Sequence, residues 1–148
     1  MDNDIYGRTV SMTTDGVTDT YLVGGAFDFA LPAGTNSAVA YLAFAKQGKL
    51  LQFKSAITEF GQNHYDATTQ QQLVILYLAA KASEKVDREA YLAQLFAFVN
   101  SVTAYSVAFS AAVNACSDPS TIAAMQWDLS QIASDPGVTL AGAIAIST

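Results

Sequence analysis

One imidazole and one thiol, His64 and Cys116, are all that this chain offers for histidine or cysteine chemistry. A single histidine removes every multi-histidine metal site and most His-based triads built within one chain. A single cysteine excludes a disulfide framework and a Cys-based zinc site. His64 stands in Asn63-His64-Tyr65-Asp66; as a general base it needs a nucleophile and an orienting group nearby, and the adjacent Asp66 reads better as a helix cap. We expect His64 to be an exposed or structural loop residue. Cys116, at the end of an apolar run with no basic neighbour in sequence, reads as a buried small hydrophobe. No Gly-x-Ser-x-Gly elbow, P-loop or Gly-x-Gly-x-x-Gly fingerprint occurs. The acids have structural roles ready: Asp15 in a turn, Asp66, Asp87, Asp118 and Asp135 as caps, and Asp2, Asp4 and Asp19 near exposed ends. Asp2-Asn3-Asp4 and the Asp15-to-Asp19 stretch lack the remaining positions and the bidentate Glu of an EF-hand. No catalytic, cofactor-binding or metal-ligating residue is assigned, and no cofactor is expected.

Composition points the same way. The chain has 148 residues and a mass of 15.6 kDa, enough for one domain or two tightly packed subdomains without a covalent staple. Hydrophobic residues make up 51% of it and charged residues only 14%, against about 25% in an average domain. Disorder is thereby excluded, and a net charge of -6 argues against a nucleic-acid partner, whose phosphates need Lys and Arg. The charges are segregated: Arg8 is the only base in residues 1–45, six bases lie in residues 46–88, and none follows Glu89. A surface this poor in ionic groups is expected to be covered by other protein, since the centres of obligate interfaces are depleted in charge.

Two features are therefore candidates for an interface. Trp127, the only tryptophan, is a preferred interface anchor; the alternative is that it caps the hydrophobic core from the side. Residues 90–117 carry no charge and are long enough to span a bilayer. Within them Asn100, Thr103, Ser106, Ser110 and Asn114 recur at three- and four-residue steps, forming one neutral polar stripe on a helix. The stripe dilutes the hydropathy and no Lys or Arg flanks the C-terminal end, so a buried or interface helix is preferred to a membrane span. No secretory signal is expected, because Met-Asp-Asn-Asp lacks a basic n-region and an apolar h-region.

The elements that carry these residues read as α+β: an N-terminal β region of hairpins over residues 1–60, then a helical region over 61–148 with one long helix. Residues 5–12 and 20–23 are rich in Thr, Val, Ile and Tyr around an Asp15-Gly16 turn. Phe27, Phe29 and Leu31 alternate onto one face, and Gly24-Gly25 suggests a bend or bulge. Residues 37–60 are ambiguous. Leu51 to Lys54 alternate like a strand, whereas Leu50, Phe53, Ile57 and Phe60 fall on a helical face. The need of a lone hairpin for more sheet favours strands here. Thr68 and Gln71 have capping-box spacing before a helix over 71–82, whose core, residues 73–78, is apolar all round and should be deeply buried. Asp87 is expected to cap a helix over 88–115. Asp118-Pro119 should start another, with Ile122, Met125, Leu129 and Ile132 as its core stripe, and residues 138–146 close as a short helix or strand.

Residues 91–146 (YLAQLFAFVNSVTAYSVAFSAAVNACSDPSTIAAMQWDLSQIASDPGVTLAGAIAI) resemble the small accessory subunits of tailed-phage particles. The likeness lies in texture: low charge, few Cys and His, many Thr, Ala and Ser, and no catalytic motif. No family motif transfers, so no functional residue is carried over. The resemblance implies a structural part of a tail, baseplate, fibre attachment or capsid surface, located in the virion after synthesis in the host cytoplasm. It also implies other virion proteins or further copies of the chain as partners. A membrane-interacting protein using 90–117 and a soluble small-ligand or peptide binding module are the alternatives.

Overall fold

The structure is a computed structural model, and it describes residues 3–148. An antiparallel sheet in the order β1-β2-β3 comes first: β1 (Val10–Thr14), β2 (Thr18–Val23) and β3 (Phe27–Pro32). Among the described residues five helices follow, α1 (Ser37–His64), α2 (Ala67–Ala82), α3 (Val86–Ala115), α4 (Pro119–Ala124) and α5 (Leu140–Ala145), with one 3-10 turn at Leu129–Gln131. The α+β class, the β-first order and the one long helix all agree with expectation. The chain divides into two compact units. One comprises Met1–Lys54 and Phe109–Trp127, the other Ser55–Ala108 and Asp128–Thr148.

In the first unit, β1 and β2 pair with Val10 opposite Val23 and Met12 opposite Tyr21, and β2 continues to β3 with Tyr21 opposite Phe29. The Asp15 carboxylate accepts hydrogen bonds from the amides of Val17 (2.8 Å) and Thr18 (2.7 Å), closing the first turn. Gly24 and Gly25 both sit at positive φ, the backbone that the second turn needs and that side chains disfavour. Because residues two apart share a face, Val10, Tyr21, Val23, Phe29 and Leu31 meet α1 through Ala40 and Phe44. Phe44 is fully buried, its ring centroid 5.0 Å from Phe29, 5.3 Å from Tyr21 and 5.3 Å from Tyr41.

The β region ends at Pro32, not near residue 60. Residues 37–60 are helix throughout, correcting the expectation of a second hairpin. The buried positions Ala40, Phe44, Ala45, Lys49, Phe53 and Ile57 have helical spacing, and the alanines favour that conformation. A helix lying on the sheet meets the hairpin's need for cover as well as further strands do. The segment before β1 is also irregular rather than strand, apart from an isolated Asn3–Thr9 bridge, and it is tied to α1. Arg8 bonds the Asp4 carboxylate (Nη2–Oδ2 2.7 Å), Gln47 Oε1 (2.6 Å) and Phe44 O (2.9 Å). Tyr6 donates to Ala45 O at 2.7 Å. Gly48 permits this approach, since ring carbons of Tyr6 lie 2.5 and 2.7 Å from where a Cβ would stand. Asp4 and Asp19 are thus buried, not exposed; Asp19 accepts from Gly34 N at 3.2 Å. Asp2 lies outside the described residues.

Asp118 caps α4 by accepting from Thr121 N, with Pro119 in the first turn. The helix stops at Ala124, so the expected continuous stripe through Met125, Leu129 and Ile132 is broken. Only Ile122 of that set lies in α4; Met125 is its C-cap, and Leu129 belongs to the 3-10 turn.

In the second unit, Asp66 caps α2 through Thr69 N at 2.7 Å, as expected of it, so Thr68 lies inside the helix rather than at the cap of a Thr68–Gln71 capping box. α3 begins at Val86, which places Asp87 inside the first turn rather than at the cap. There its carboxylate accepts from Thr148 Oγ1 at 2.5 Å. Arg88 donates to Ile146 O (Nη2, 2.6 Å) and Ile144 O (3.1 Å), holding the carbonyls beyond and within α5. Residues 138–146 take the helical option. Leu92, Leu95, Phe98, Ile132, Val138 and Ala143 are buried in this unit.

Candidate functional site

The neutral stripe on α3 does not form one environment. Asn100 and Thr103 are exposed and Ser106 half-buried in the second unit; Ser110 is half-buried and Asn114 exposed in the first. Thr103 lines a small cavity with Gly61, Tyr65, Gln70, Phe98, Val99 and Val102. The Asn114 carbonyl accepts from Lys46 Nζ at 2.7 Å. Beside the stripe, Ser101 Oγ accepts from Ala133 N (2.9 Å) and Tyr105 OH from Asp128 N (2.5 Å). Polar side chains of α3 therefore hold the returning chain 128–133, which their sequence spacing does not reveal.

Trp127 stands apart from the stripe, in the extended stretch after α4. It is half-buried, with ring centroids 5.6 Å from Phe53 and 5.9 Å from Phe109. Lys49 Nζ lies 5.9 Å from its ring centroid and donates to Ala123 O (3.0 Å) and Met125 O (2.9 Å). The indole packs against the core of its unit and leaves part of its surface to solvent.

His64 is the last residue of α1 rather than part of a loop. Its Nδ1 is 2.8 Å from Asp135 Oδ2, and its ring packs 4.7 Å from Phe60 and 5.4 Å from Phe98. The buried Tyr65 donates to the other Asp135 oxygen, while Gly137 N donates to that same oxygen at 2.8 Å. Asp135 thus gathers three donors from two segments instead of capping a helix. Its partial burial pushes the carboxyl upward, but the hydrogen bonds from Tyr65, Gly137 and His64 outweigh this and hold it below the ordinary value. Burial, and then the bond to Asp135, push the Tyr65 phenol up to about 12.

A histidine oriented by a carboxylate is half of a nucleophile-activating array. Among the described residues, however, no hydroxyl or thiol is bonded to the His64 ring, and Cys116 Sγ, half-buried in the first unit, lies 3.7 Å from Asp118 O. The cluster's evident work is to fasten residues 135–138 to the end of α1. A lowered folded-state pKa adds stability that is present above the unfolded value of about 3.9 and is lost as pH falls through the folded value. Acidification from about pH 7 to pH 3 should therefore lower the melting temperature of the wild-type chain more than that of Asp135→Asn, as measured by circular dichroism at fixed salt. Equal losses in the two proteins would remove Asp135 from the acid response.

The largest departure from expectation is on α2. Of the run 73–78, expected to be deeply buried, only Leu73 is buried; Val74, Ile75 and Leu78 are exposed, the last two at 68% and 57%. Ile75 and Leu78 are one turn apart on one face, and Val74 and Ile75 line an open cavity of about 510 Å³ with Ala67, Gln70 and Gln71. α3 is long and apolar enough to cross a membrane, with a mean hydropathy of 1.5 over its most apolar 18-residue window, of which 17% is buried. An all-apolar helix reports how much it needs cover, but not which part of that cover its own chain supplies.

No protein-family model, curated protein or solved structure matches this chain.

Proposed function

We propose that this chain is a non-enzymatic structural subunit that self-associates or docks into a larger assembly, a phage virion at a tail, baseplate, fibre attachment or capsid surface. The observation that carries this reading is the uncharged, exposed Val74–Ile75–Leu78 face of α2. Large contiguous apolar patches, beyond a few hundred Å², are rare on monomeric soluble proteins, and this surface resembles the charge-depleted centre of an interface. The edges of the sheet, β1 and β3, offer backbone pairing to a neighbour. Many of the acids are engaged in structure: Asp66, Asp118 and Asp128 on helix-start amides, Asp15 in its turn, Asp19 on Gly34, Asp87 on Thr148, Asp4 on Arg8 and Asp135 on Tyr65 and His64. The virion placement rests on the textural resemblance alone.

Sedimentation equilibrium of the purified chain is expected to show concentration-dependent association that Ile75→Glu/Leu78→Glu weakens at least about tenfold. The melting temperature of the dissociated protein should barely move, because both side chains already face solvent. A chain that stays monomeric at high concentration, alone and with its neighbours in a particle, overturns the proposal. The apolar, little-buried α3 favours one second reading, a membrane-associated role for 90–117. Co-flotation with liposomes by a chain that does not self-associate in buffer would select it.

A further inference from the structure

Lys49 is 6% exposed in the first unit, and among the described residues no carboxylate forms an ion pair with it. An ammonium carries three donors. Two go to Ala123 O and Met125 O, at the end of a helix only six residues long. Carbonyl dipoles offset part of the cost of burying the charge but do not neutralise it. The two segments that meet at Lys49 bring few acids. Within this unit α1 brings Lys46, Lys49 and Lys54 and no acid, while Phe109–Trp127 brings only Asp118, whose carboxylate is engaged with Thr121 N and Oγ1. Lys49 is thus a buried cation that, among the described residues, no carboxylate pairs, in a chain of net charge -6.

Lys49 also lines a cavity of about 290 Å³ together with Met125, Gln126 and Trp127. A cation with a donor to spare and an amide stand beside a thioether and an indole, polar groups next to an apolar wall, in a volume just under the usual range for small-molecule sites. We propose that this cavity binds a small planar organic carboxylate, its carboxylate on Lys49 Nζ and its apolar body against Trp127 and Met125. The charge-assisted hydrogen bond supplies orientation; the indole and thioether supply apolar contact.

Trp127 is the only tryptophan, so its fluorescence reports on this cavity directly. Titration of the full chain with benzoate at constant ionic strength is expected to give a saturable fluorescence change. The neutral isostere benzamide should bind at least about tenfold more weakly, the worth of one charge-assisted hydrogen bond, and Lys49→Met should lose the benzoate preference. The benzoate–benzamide comparison uses the wild-type chain and decides the matter even where the variant does not fold. A wild-type chain that shows no saturable response to benzoate, or equal affinity for benzamide, overturns the proposal, as does a folded Lys49→Met that binds benzoate undiminished.

Discussion

Phe44→Ala should cost the first unit about 3–5 kcal/mol, the range for removing a fully buried phenylalanine. Phe44 is the residue through which α1 holds the sheet. It has no exposed surface and contacts rings from β2, β3 and its own helix, Tyr21, Phe29 and Tyr41. Truncation removes the transfer energy of the ring and leaves a cavity that two strands on short turns cannot readily collapse. It also removes the aromatic pair geometry, worth about 0.5–1.5 kcal/mol for each pair beyond burial. Because a small sheet without a packed face is marginal, hydrogen exchange should accelerate most at β2 amides, the middle strand. Phe44→Leu keeps apolar volume and should recover much of the loss. Urea denaturation of the three proteins gives the energies, and exchange monitored by mass spectrometry locates the effect. A Phe44→Ala loss below about 1 kcal/mol would mean that the sheet is held by something other than this core.

The reach of the sequence reading follows from how local each signal is. The alternation of Phe27, Phe29 and Leu31 and the Asp-Gly turn are encoded within a few residues, and β2 and β3 fall where those signals place them. The Asp118-Pro119 start is local as well. Residues 37–60 carried two local patterns, alternation over Leu51–Lys54 and a 3.6-residue face through Phe53 and Ile57, and the longer pattern decides because it buries more. The sheet it packs against lies earlier in the chain, so the competition could not be resolved by periodicity alone. α2 is the opposite case. Its apolar content was plain, but exposure of Ile75 and Leu78 depends on what else packs there, a property of tertiary arrangement. The same holds for the polar clusters. Asp135 meets His64 and Tyr65 from 71 and 70 residues away, and Lys49 meets the end of α4 from 74 and 76. Each partner alone has an ordinary local explanation, a cap or a surface lysine, and only the fold gives it another.

Arg8 and Asp4 make the sharpest case of a pair whose value comes from where it is placed. Their spacing is that of a surface helix pair, which would contribute little, but the segment is not helical and the Asp4 side chain is fully enclosed, with Arg8 20% exposed. Asp4 accepts Arg8 Nε at 2.7 Å and the amides of Tyr6 (3.1 Å) and Arg8 (2.8 Å), while the remaining Arg8 donors reach Gln47 and Phe44 O on α1. Removing Arg8 strands the Asp4 carboxylate where water cannot reach it, whereas Arg8 itself keeps some contact with solvent. Arg8→Met is therefore expected to destabilise the chain by about 3–5 kcal/mol, more than an exposed pair could account for. Asp4→Asn keeps an acceptor for the two amides and removes the carboxylate charge, so it should cost less. In the double variant Arg8→Met/Asp4→Asn no unpaired charge remains, and its loss should be smaller than the sum of the single losses by about 1–3 kcal/mol. Urea unfolding of the four proteins measures this coupling directly. If the single losses simply add, Arg8 acts through its contacts with Gln47 and Phe44 O, and the enclosed carboxylate is not what makes it indispensable.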